Sequence, residues 1–187
     1  MERIARLAHR HWLALTLLTS LYTLDQVTKY LVSHNLRLGE SWPAESFISI
    51  TYIFNTGSAF GLFRGQNDLL ILGTFLGIGV LALVYRSQHN SGLLLRASLG
   101  MQLAGALGNL TDRLTEGHVT DFIDIGPWPI FNVADSSILI GIALLAFVIL
   151  ARGNGEEPTV TIKEEQSAEP PSAGVLDAHG EHAQRNP

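Results

Sequence analysis

The chain has 187 residues, 47% of them hydrophobic, and that length allows one domain of ordinary size. It contains no cysteine, which excludes disulfides, thiolate metal sites and cysteine nucleophiles. Its formal net charge of −5, with no basic stripe, argues against a nucleic-acid partner.

The first predicted element is a membrane-spanning helix, Trp12–Val32. It follows a segment with three arginines, and its length corresponds to about 30 Å of helix, enough to cross a bilayer. No small-x-small cleavage site follows it, so we expect it to be retained rather than removed as a signal peptide. Asp25 and Lys29 lie four residues apart near its outer end and share one helix face. They are interpreted either as an interfacial ion pair or as an inward-facing pair that orients a site.

A small β-rich region is predicted between residues 33 and 67, which are too polar to span a membrane. The segment SFISITYIFN, ending at Asn55, alternates in polarity and is rich in β-branched and aromatic residues, which is typical of a strand. Gly57 and Gly61 then mark a turn. Asn55 before this turn is, by itself, most often a turn residue. We expect a small sheet on the outer membrane surface.

Three further apolar segments complete a predicted bundle of four transmembrane helices: Leu69–Tyr85, Leu93–Leu110 and Ala134–Ala151. Asp68 is expected to cap the first of them, and Gly108 to allow close helix packing in the second. The span ends assigned to the cytoplasm carry the excess of arginine, so both termini are predicted to be cytoplasmic.

The chain is predicted to divide into a membrane domain, residues 1–152, and an acidic tail, residues 153–187. The tail has 7 acidic residues against 2 basic ones, a difference equal to the whole net charge. It has almost no large apolar side chains with which to offset its ordering entropy, so we expect it to be disordered in the cytoplasm.

The predicted topology brings scattered polar residues to one side of the membrane. Asp25 ends the first span there, Asn109 ends the third, and Asp135 begins the fourth. Asp112 and Arg113 follow Asn109 at helical spacing and share its face. The other polar residues of this side are Asn55, Asp121, Asp124 and Asn132. Polar groups at membrane depth are costly and by default mark a functional site.

The carboxylates of Asp121 and Asp135 are the main candidates for chemistry. The chain shows no HExxH pair, no Ser–His–Asp set and no glycine-rich phosphate loop, and His118 is interpreted as a loop histidine. Two close carboxylates that share a proton act as acid and base on a water molecule. Alternatives stay open: Asp135 is placed to cap the last span, as is Asn132, and Asp121 fits a surface loop charge. The same groups would also serve a proton-coupled or ion-coupled carrier, whereas a membrane scaffold would not need them.

Four sequence blocks resemble the bacterial lipoprotein signal peptidases, also called signal peptidase II, which are membrane aspartyl proteases. In order they are Asp25-Gln-Val-Thr-Lys29, Asn55-Thr-Gly-Ser-Ala-Phe-Gly61, Gly108-Asn-Leu-Thr-Asp-Arg113 continued through Gly117-His-Val-Thr-Asp-Phe122, and Phe131-Asn-Val-Ala-Asp135. Each block is weak alone, but all four in order are specific. Ala104 departs from the family, which commonly has glycine there, and the acidic tail is longer than the family needs.

The resemblance implies that Asp121 and Asp135 are the catalytic pair. The residues to which substrate binding is assigned are Asn55, Asn109, Arg113 and Asn132. Those expected to have structural or orienting roles are Asp25, Lys29, Asp112, Gly57 and Gly108. The implied substrate is a diacylglyceryl-modified prolipoprotein, cleaved on the N-terminal side of its lipidated cysteine without a metal or cofactor. The implied location is the bacterial cytoplasmic (inner) membrane, among membrane lipids, with the active site near the outer leaflet, and we expect a monomer.

Overall fold

The computed structural model describes residues 2–44, 46–57, 65–87 and 92–153, with side chains from residue 12 to residue 151. The described residues belong to one compact unit. The predicted acidic tail therefore falls outside the described residues except for Gly153, as does Gly61 of the predicted turn.

Four helices make up most of the described chain: α1 (Glu2–Asn35), α2 (Asn67–Ser87), α3 (Leu93–Thr115) and α4 (Val133–Gly153). They overlap all four predicted spans, so the mainly helical architecture is confirmed. Among the described helices, α2 and α4 are long and apolar enough to cross a membrane. The central helix is α3, which packs against each of the other three.

In α1 and α3, the buried side chains include polar residues that face the interior of the bundle. Asp25 and Lys29 of α1 are buried, whereas the neighbouring Leu24, Val27 and Leu31 are about half exposed. A soluble helix shows the opposite arrangement, with its apolar stripe facing the core. The inward polar groups lower the average hydropathy of α1 and α3, while their outer surfaces remain suited to lipid.

One predicted helix cap is wrong, and one helix is longer than its predicted membrane span. Asp68 does not cap α2 but lies in its first turn, because the helix begins at Asn67 and the N–H of Leu70 already bonds to the carbonyl of Gln66 at 3.2 Å. The helix α3 continues to Thr115, beyond the predicted span Leu93–Leu110, so Asp112 and Arg113 are helical, as their spacing from Asn109 predicts. The end of the apolar run in the sequence marks the end of the predicted membrane span. It does not mark the end of the helix, because the backbone hydrogen bonds of the helix continue beyond it.

A three-stranded antiparallel sheet lies beside the helices, with β1 (Ser41–Trp42), β2 (Ser49–Asn55) and β3 (Val119–Asp124) in that spatial order. The strand predicted in SFISITYIFN is β2, and the expected small sheet is confirmed. In the register of β2 and β3, Ile53 pairs with Asp121 and Asn55 with Val119. Asn55 and Asp121 are therefore diagonal neighbours on one face of the sheet, within reach of each other.

Candidate active site

Asp121 is at the centre of the site, on β3, and is fully buried. Its Oδ2 accepts a hydrogen bond from Asn55 Nδ2 at 2.7 Å, and its Oδ1 accepts one from Asn132 Nδ2 at 2.6 Å. Asn55 is itself fixed, because its Oδ1 accepts the backbone N–H of Gly57 at 3.0 Å. Both carboxylate oxygens of Asp121 are thus held by asparagine amides.

Asn132 links Asp121 to the start of α4. The backbone of Phe131, just before it, is hydrogen-bonded to Ile123 of β3, which carries Asn132 to the side of Asp121. The Oδ1 of Asn132 accepts the backbone N–H of Asp135 at 2.9 Å, which is the geometry of a helix N-cap. Of the two residues expected as possible caps of this helix, Asn132 makes the capping bond, and Asp135 lies in the first turn.

Asp135 is bound from the neighbouring helix by Asn109. Its Oδ1 accepts a hydrogen bond from Asn109 Nδ2 at 2.7 Å. The Oδ1 of Asn109 in turn accepts from Asn132 Nδ2 at 3.2 Å and from Lys29 Nζ at 3.0 Å. Two asparagines, one on each side, therefore connect the carboxylates of Asp121 and Asp135.

A buried ion cluster, formed by Lys29, Asp25 and Asp112, lies next to these groups. Lys29 Nζ lies 2.8 Å from Asp25 Oδ2 and 2.8 Å from Asp112 Oδ2. Asp25 Oδ1 accepts the N–H of Ala134 in the first turn of α4 at 2.8 Å, and Asp112 Oδ2 accepts the N–H of Thr120 on β3 at 3.3 Å. The interfacial reading of the Asp25–Lys29 pair is wrong, since both side chains are buried and join α1, α3, α4 and β3.

Gly108 allows the helices to approach closely enough for this cluster. A Cβ atom at Gly108 would lie 2.5 Å from Asp25 Oδ2 and 3.3 Å from the Cβ of Ala134. Any larger side chain would push Asp25 away from Lys29 and from the start of α4. The small residue is therefore required by the ion cluster as well as by helix packing.

Burial raises the pKa of the Asp121 carboxyl to about 7, and the negative charge of Asp135 acts in the same direction. The hydrogen bonds from Asn55 and Asn132 and the charge of Lys29 oppose this rise, because they favour the ionised form. A carboxyl with a pKa near neutrality exchanges a proton readily at physiological pH. The carboxyl of Asp121 is thus suited to acid–base chemistry.

A groove of about 790 Å³ lies between α2 and α3, and one of its lining residues is Asn109, which binds Asp135. Arg113, Asn109 and Gln102 line it on the α3 side, and its α2 wall is almost entirely apolar. Arg113 donates to the carbonyl oxygens of Gly57 at 3.2 Å and of Asn109 at 3.4 Å, so it also ties the end of β2 to α3. An apolar groove that ends at polar groups suits an amphipathic or lipid-bearing ligand.

The structure places all the sequence-predicted site residues in this region and adds one that sequence reasoning missed. Gln26 donates through Nε2 to Asp25 Oδ2 at 3.2 Å, to Asp112 Oδ1 at 3.0 Å and to the Gly108 carbonyl at 3.3 Å. The sequence did contain a signal for this residue, since Gln26 is a strongly polar residue inside a predicted membrane span.

Asp124 is separate from the pair of Asp121 and Asp135. Its carboxylate accepts hydrogen bonds from Thr51 at 3.0 Å and from the N–H of Gly126.

The sequence of this chain is similar to a known protein family and to several of its members. A family model described as Signal peptidase (SPase) II matches residues 17–151. The chain is 41% identical to the Lipoprotein signal peptidase of Moorella thermoacetica over 138 residues, which are 72% of this chain and 92% of the relative. It is 42% identical to the Lipoprotein signal peptidase of Halothermothrix orenii over 123 residues, 65% of this chain and 84% of that one.

Solved structures agree with the sequence relatives. A bacterial membrane enzyme solved by the in meso method at 2.3 Å resolution superposes with a TM-score of 0.71 at 32% identity, covering 78% of this chain and 92% of the other. A second, at 1.9 Å resolution, gives a TM-score of 0.65 at 33% identity, with coverages of 73% and 92%. Because sequence and fold agree over most of the chain, including every element that builds the site, this protein belongs to the signal peptidase II family of lipoprotein-processing proteases.

Proposed function

We propose that this protein is an aspartic endopeptidase that removes the signal peptide from diacylglyceryl-modified prolipoproteins. It cleaves on the N-terminal side of the lipidated cysteine, with Asp121 and Asp135 as the catalytic pair. The observation that carries the proposal is the hydrogen-bonded path from Asp121 through Asn132 and Asn109 to Asp135. This path joins two carboxyl groups to which we assign opposite roles, and its residue Asn109 also lines the apolar groove.

The proposed reaction begins with Asp121 protonated and Asp135 ionised. Asp135 takes a proton from a water molecule, and the resulting hydroxide adds to the carbonyl carbon of the scissile peptide bond. Asp121 donates a hydrogen bond and then its proton to the carbonyl oxygen. The tetrahedral intermediate collapses when that hydroxyl returns its proton to Asp121 and the nitrogen takes the proton held by Asp135. The C–N bond then breaks, leaving a carboxylic acid on the signal peptide and a free amine on the cysteine.

The proton is assigned to Asp121 because burial raises the pKa of its carboxyl to about 7. Both oxygens of Asp121 are held by asparagine side chains, whereas the carboxylate of Asp135 has one side-chain partner among the described residues, Asn109, and a backbone hydrogen bond with Asn132. We therefore assign the water molecule to Asp135, which has fewer side-chain partners. The asparagines expected to bind substrate make their side-chain bonds to the two aspartates, so we assign Asn55, Asn109 and Asn132 to orienting the pair.

The proposed setting is a cytoplasmic (inner) membrane crossed by all four helices, with both termini in the cytoplasm. The polar cluster lies where α1 and α3 end and α4 begins, so it would lie near the outer leaflet, at the level of a lipidated cysteine. The groove beside Arg113 is then the entry for substrate from the lipid phase. We propose that the enzyme works as a monomer surrounded by membrane lipids.

The proposal is tested by incubating purified protein with a diacylglyceryl-modified prolipoprotein and comparing wild type with Asp135→Asn. This variant is the cleaner test, since an asparagine keeps an oxygen to accept from Asn109 and loses only the carboxylate. Asp121→Asn is the second test. It is less clean, because the new side-chain NH₂ group would face the NH₂ group of either Asn55 or Asn132. The matched control is Asp124→Asn, which changes another β3 carboxylate whose partners, within the described part of the chain, are Thr51 and the backbone N–H of Gly126.

We expect both dyad variants to fold and to lose at least about a thousandfold in turnover, and the control to stay within about twofold of wild type. Full activity in Asp135→Asn would show that the aspartyl mechanism is wrong even if the protein cleaves the substrate. A wild-type protein that fails on the lipidated substrate would reject the proposed function. Proton or ion uptake by reconstituted vesicles would then be measured, to test the carrier alternative.

A further inference from the structure

A second buried polar pair lies deeper in the bundle, away from the aspartates. On α3, Gln102 Nε2 donates to Ser98 Oγ at 3.1 Å, and Ser98 Oγ donates to the carbonyl of Gly141 on α4 at 3.0 Å. Ser98 is fully buried and Gln102 is 7% exposed. Polar groups at membrane depth are functional by default, and the proposed reaction uses neither of these residues.

The side chain of Gln102 is fixed in place and faces the groove. It lines the groove on the same side of α3 as Asn109 and Arg113. A Cβ at Gly141 would lie 2.7 Å from the Cγ of Gln102, so α4 presses directly against this side chain and limits its rotamers. No hydrogen bond to Oε1 of Gln102 is seen among the described residues, and this oxygen is not one of their buried atoms without a partner, so it is accessible from the groove. Nε2 has a second N–H beyond the one that Ser98 receives.

Packing and the bond to Ser98 use only part of the Gln102 carboxamide. Ser98 already satisfies its hydroxyl by donating to Gly141, and an apolar side chain of similar length would fill the same space without leaving a carbonyl unpaired in an apolar groove. An unpaired polar group in such surroundings is costly. The free carbonyl oxygen and N–H therefore point to a ligand that offers both a donor and an acceptor.

The substrate of the proposed reaction, on which this inference rests, offers that combination. A peptide must be extended at its scissile bond, so its backbone N–H and C=O groups lose their helical partners. Within a membrane such groups need other partners. The carboxamide of a glutamine matches one backbone residue, accepting from its N–H and donating to its C=O.

We propose that Gln102 is a substrate-positioning residue that pairs with the backbone of the signal peptide upstream of the cleavage site. Gln102 lies seven residues before Asn109 on α3, which is about 10 Å along the helix axis. An extended chain covers that distance in about three residues. The partner of Gln102 is thus the third residue before the scissile bond, or one of its direct neighbours, and the contact fixes the register of the peptide at the aspartates.

The test uses lipidated substrate peptides in which a single backbone amide is replaced by an ester, which removes one N–H and keeps the chain. The ester is placed in turn at the second, third and fourth residues before the cleavage site. Wild type is compared with Gln102→Met, which keeps the length of the side chain, and with Gln102→Leu. The matched control is Thr74→Val: Thr74 also lines the groove, but its hydroxyl already donates to the Leu70 carbonyl at 2.8 Å.

For wild type and Thr74→Val we expect an ester at one of these positions to lower kcat/KM by roughly fivefold to tenfold. In Gln102→Met, kcat/KM on the all-amide peptide falls by a similar factor and the ester no longer has an effect. Thermal unfolding of the variant in detergent shows whether the loss reflects folding.

An ester penalty that persists in Gln102→Met, or the absence of a penalty at all three positions in wild type, overturns the role of Gln102 and leaves the proposed function intact. A wild type that does not cleave the all-amide lipidated peptide overturns both.

Discussion

Asn132 donates a 2.6 Å hydrogen bond to Asp121 and, through its other side-chain atom, caps the helix that carries Asp135. One side chain thus sets the position of both carboxylates. Its amide must point one way only, because the oxygen is needed by the Asp135 N–H and the nitrogen by Asp121. The two functions of Asn132, the hydrogen bond to Asp121 and the helix cap, can be tested separately by substitution.

Asn132→Ser keeps the cap and removes the amide donor, whereas Asn132→Ala removes both. We expect the serine variant to unfold near the wild-type temperature, since Ser and Asn cap equally well, and the alanine variant to lose about 1 kcal/mol or more. Both should lose about 100-fold in kcat/KM, because Asp121 is no longer held in position. Thermal unfolding and cleavage kinetics check this, and an active serine variant would show that the bond to Asp121 is dispensable.

Lys29 is the single positive group between Asp25 and Asp112 in the buried ion cluster. Lys29→Met leaves two buried carboxylates uncompensated, and we expect it to lower the free energy of unfolding by about 3–5 kcal/mol. Adding Asp112→Asn should recover part of the loss, since it removes one of the two charges. Denaturation in detergent measures both effects.

The control for that series is Glu40→Gln, which changes an exposed carboxylate that accepts from the backbone N–H of Arg37 and from no other side chain or backbone group that the structure describes. It should alter stability by less than about 0.5 kcal/mol. A Lys29→Met variant as stable as this control would contradict the assignment of Lys29 to the ion cluster.

Asn55 lowers the pKa of Asp121, because its hydrogen bond favours the ionised carboxylate. Asn55→Ala should therefore raise that pKa further above about 7. If Asp121 is the proton donor, activity is lost when it ionises, so the alkaline limb of the kcat/KM profile should move to higher pH. The pH dependence of cleavage, measured from pH 5 to 10, checks the direction.

Thr51→Val is the matched control for this shift. Thr51 lies on the same strand, but its hydroxyl donates to Asp124 instead of Asp121, so its profile should coincide with that of wild type. An upward shift of the acidic limb in Asn55→Ala, with the alkaline limb unchanged, would reverse the assignment and make Asp121 the base.

Gly77 of α2 lines the groove, and a Cβ there would meet no atom within 4 Å. Gly77→Leu should fold normally and fill part of the groove with its side chain. We expect it to lower kcat/KM on the lipidated substrate by about tenfold, as other pocket-filling changes do. Gly79→Leu is the control, because Gly79 is equally open but does not line the groove. Equal activity in the two variants would exclude the groove as the substrate path.

Much of this protein was accessible from the sequence alone. Hydropathy located the four helices, alternation located β2, and topology required Asp25, Asn109 and Asp135 to lie on one side. These features depend on local patterns, since a helix or strand must present its apolar residues to lipid or to a neighbour wherever the chain goes. The ordered blocks around Asp121 and Asp135 were equally local and led to the correct family.

Tertiary structure alone decided what each polar group does. No periodicity shows that Asn55 reaches Asp121 diagonally across a sheet, that Asn132 rather than Asp135 makes the capping bond, or that Asp25 and Lys29 are buried instead of interfacial. These outcomes depend on hydrogen bonds and ion pairs between side chains that are far apart in the sequence, such as those of Lys29 with Asn109 and Asp112. The pKa of Asp121 and the partly paired carboxamide of Gln102 arise in the same way, because burial and hydrogen bonding are properties of the packed bundle and not of any one segment.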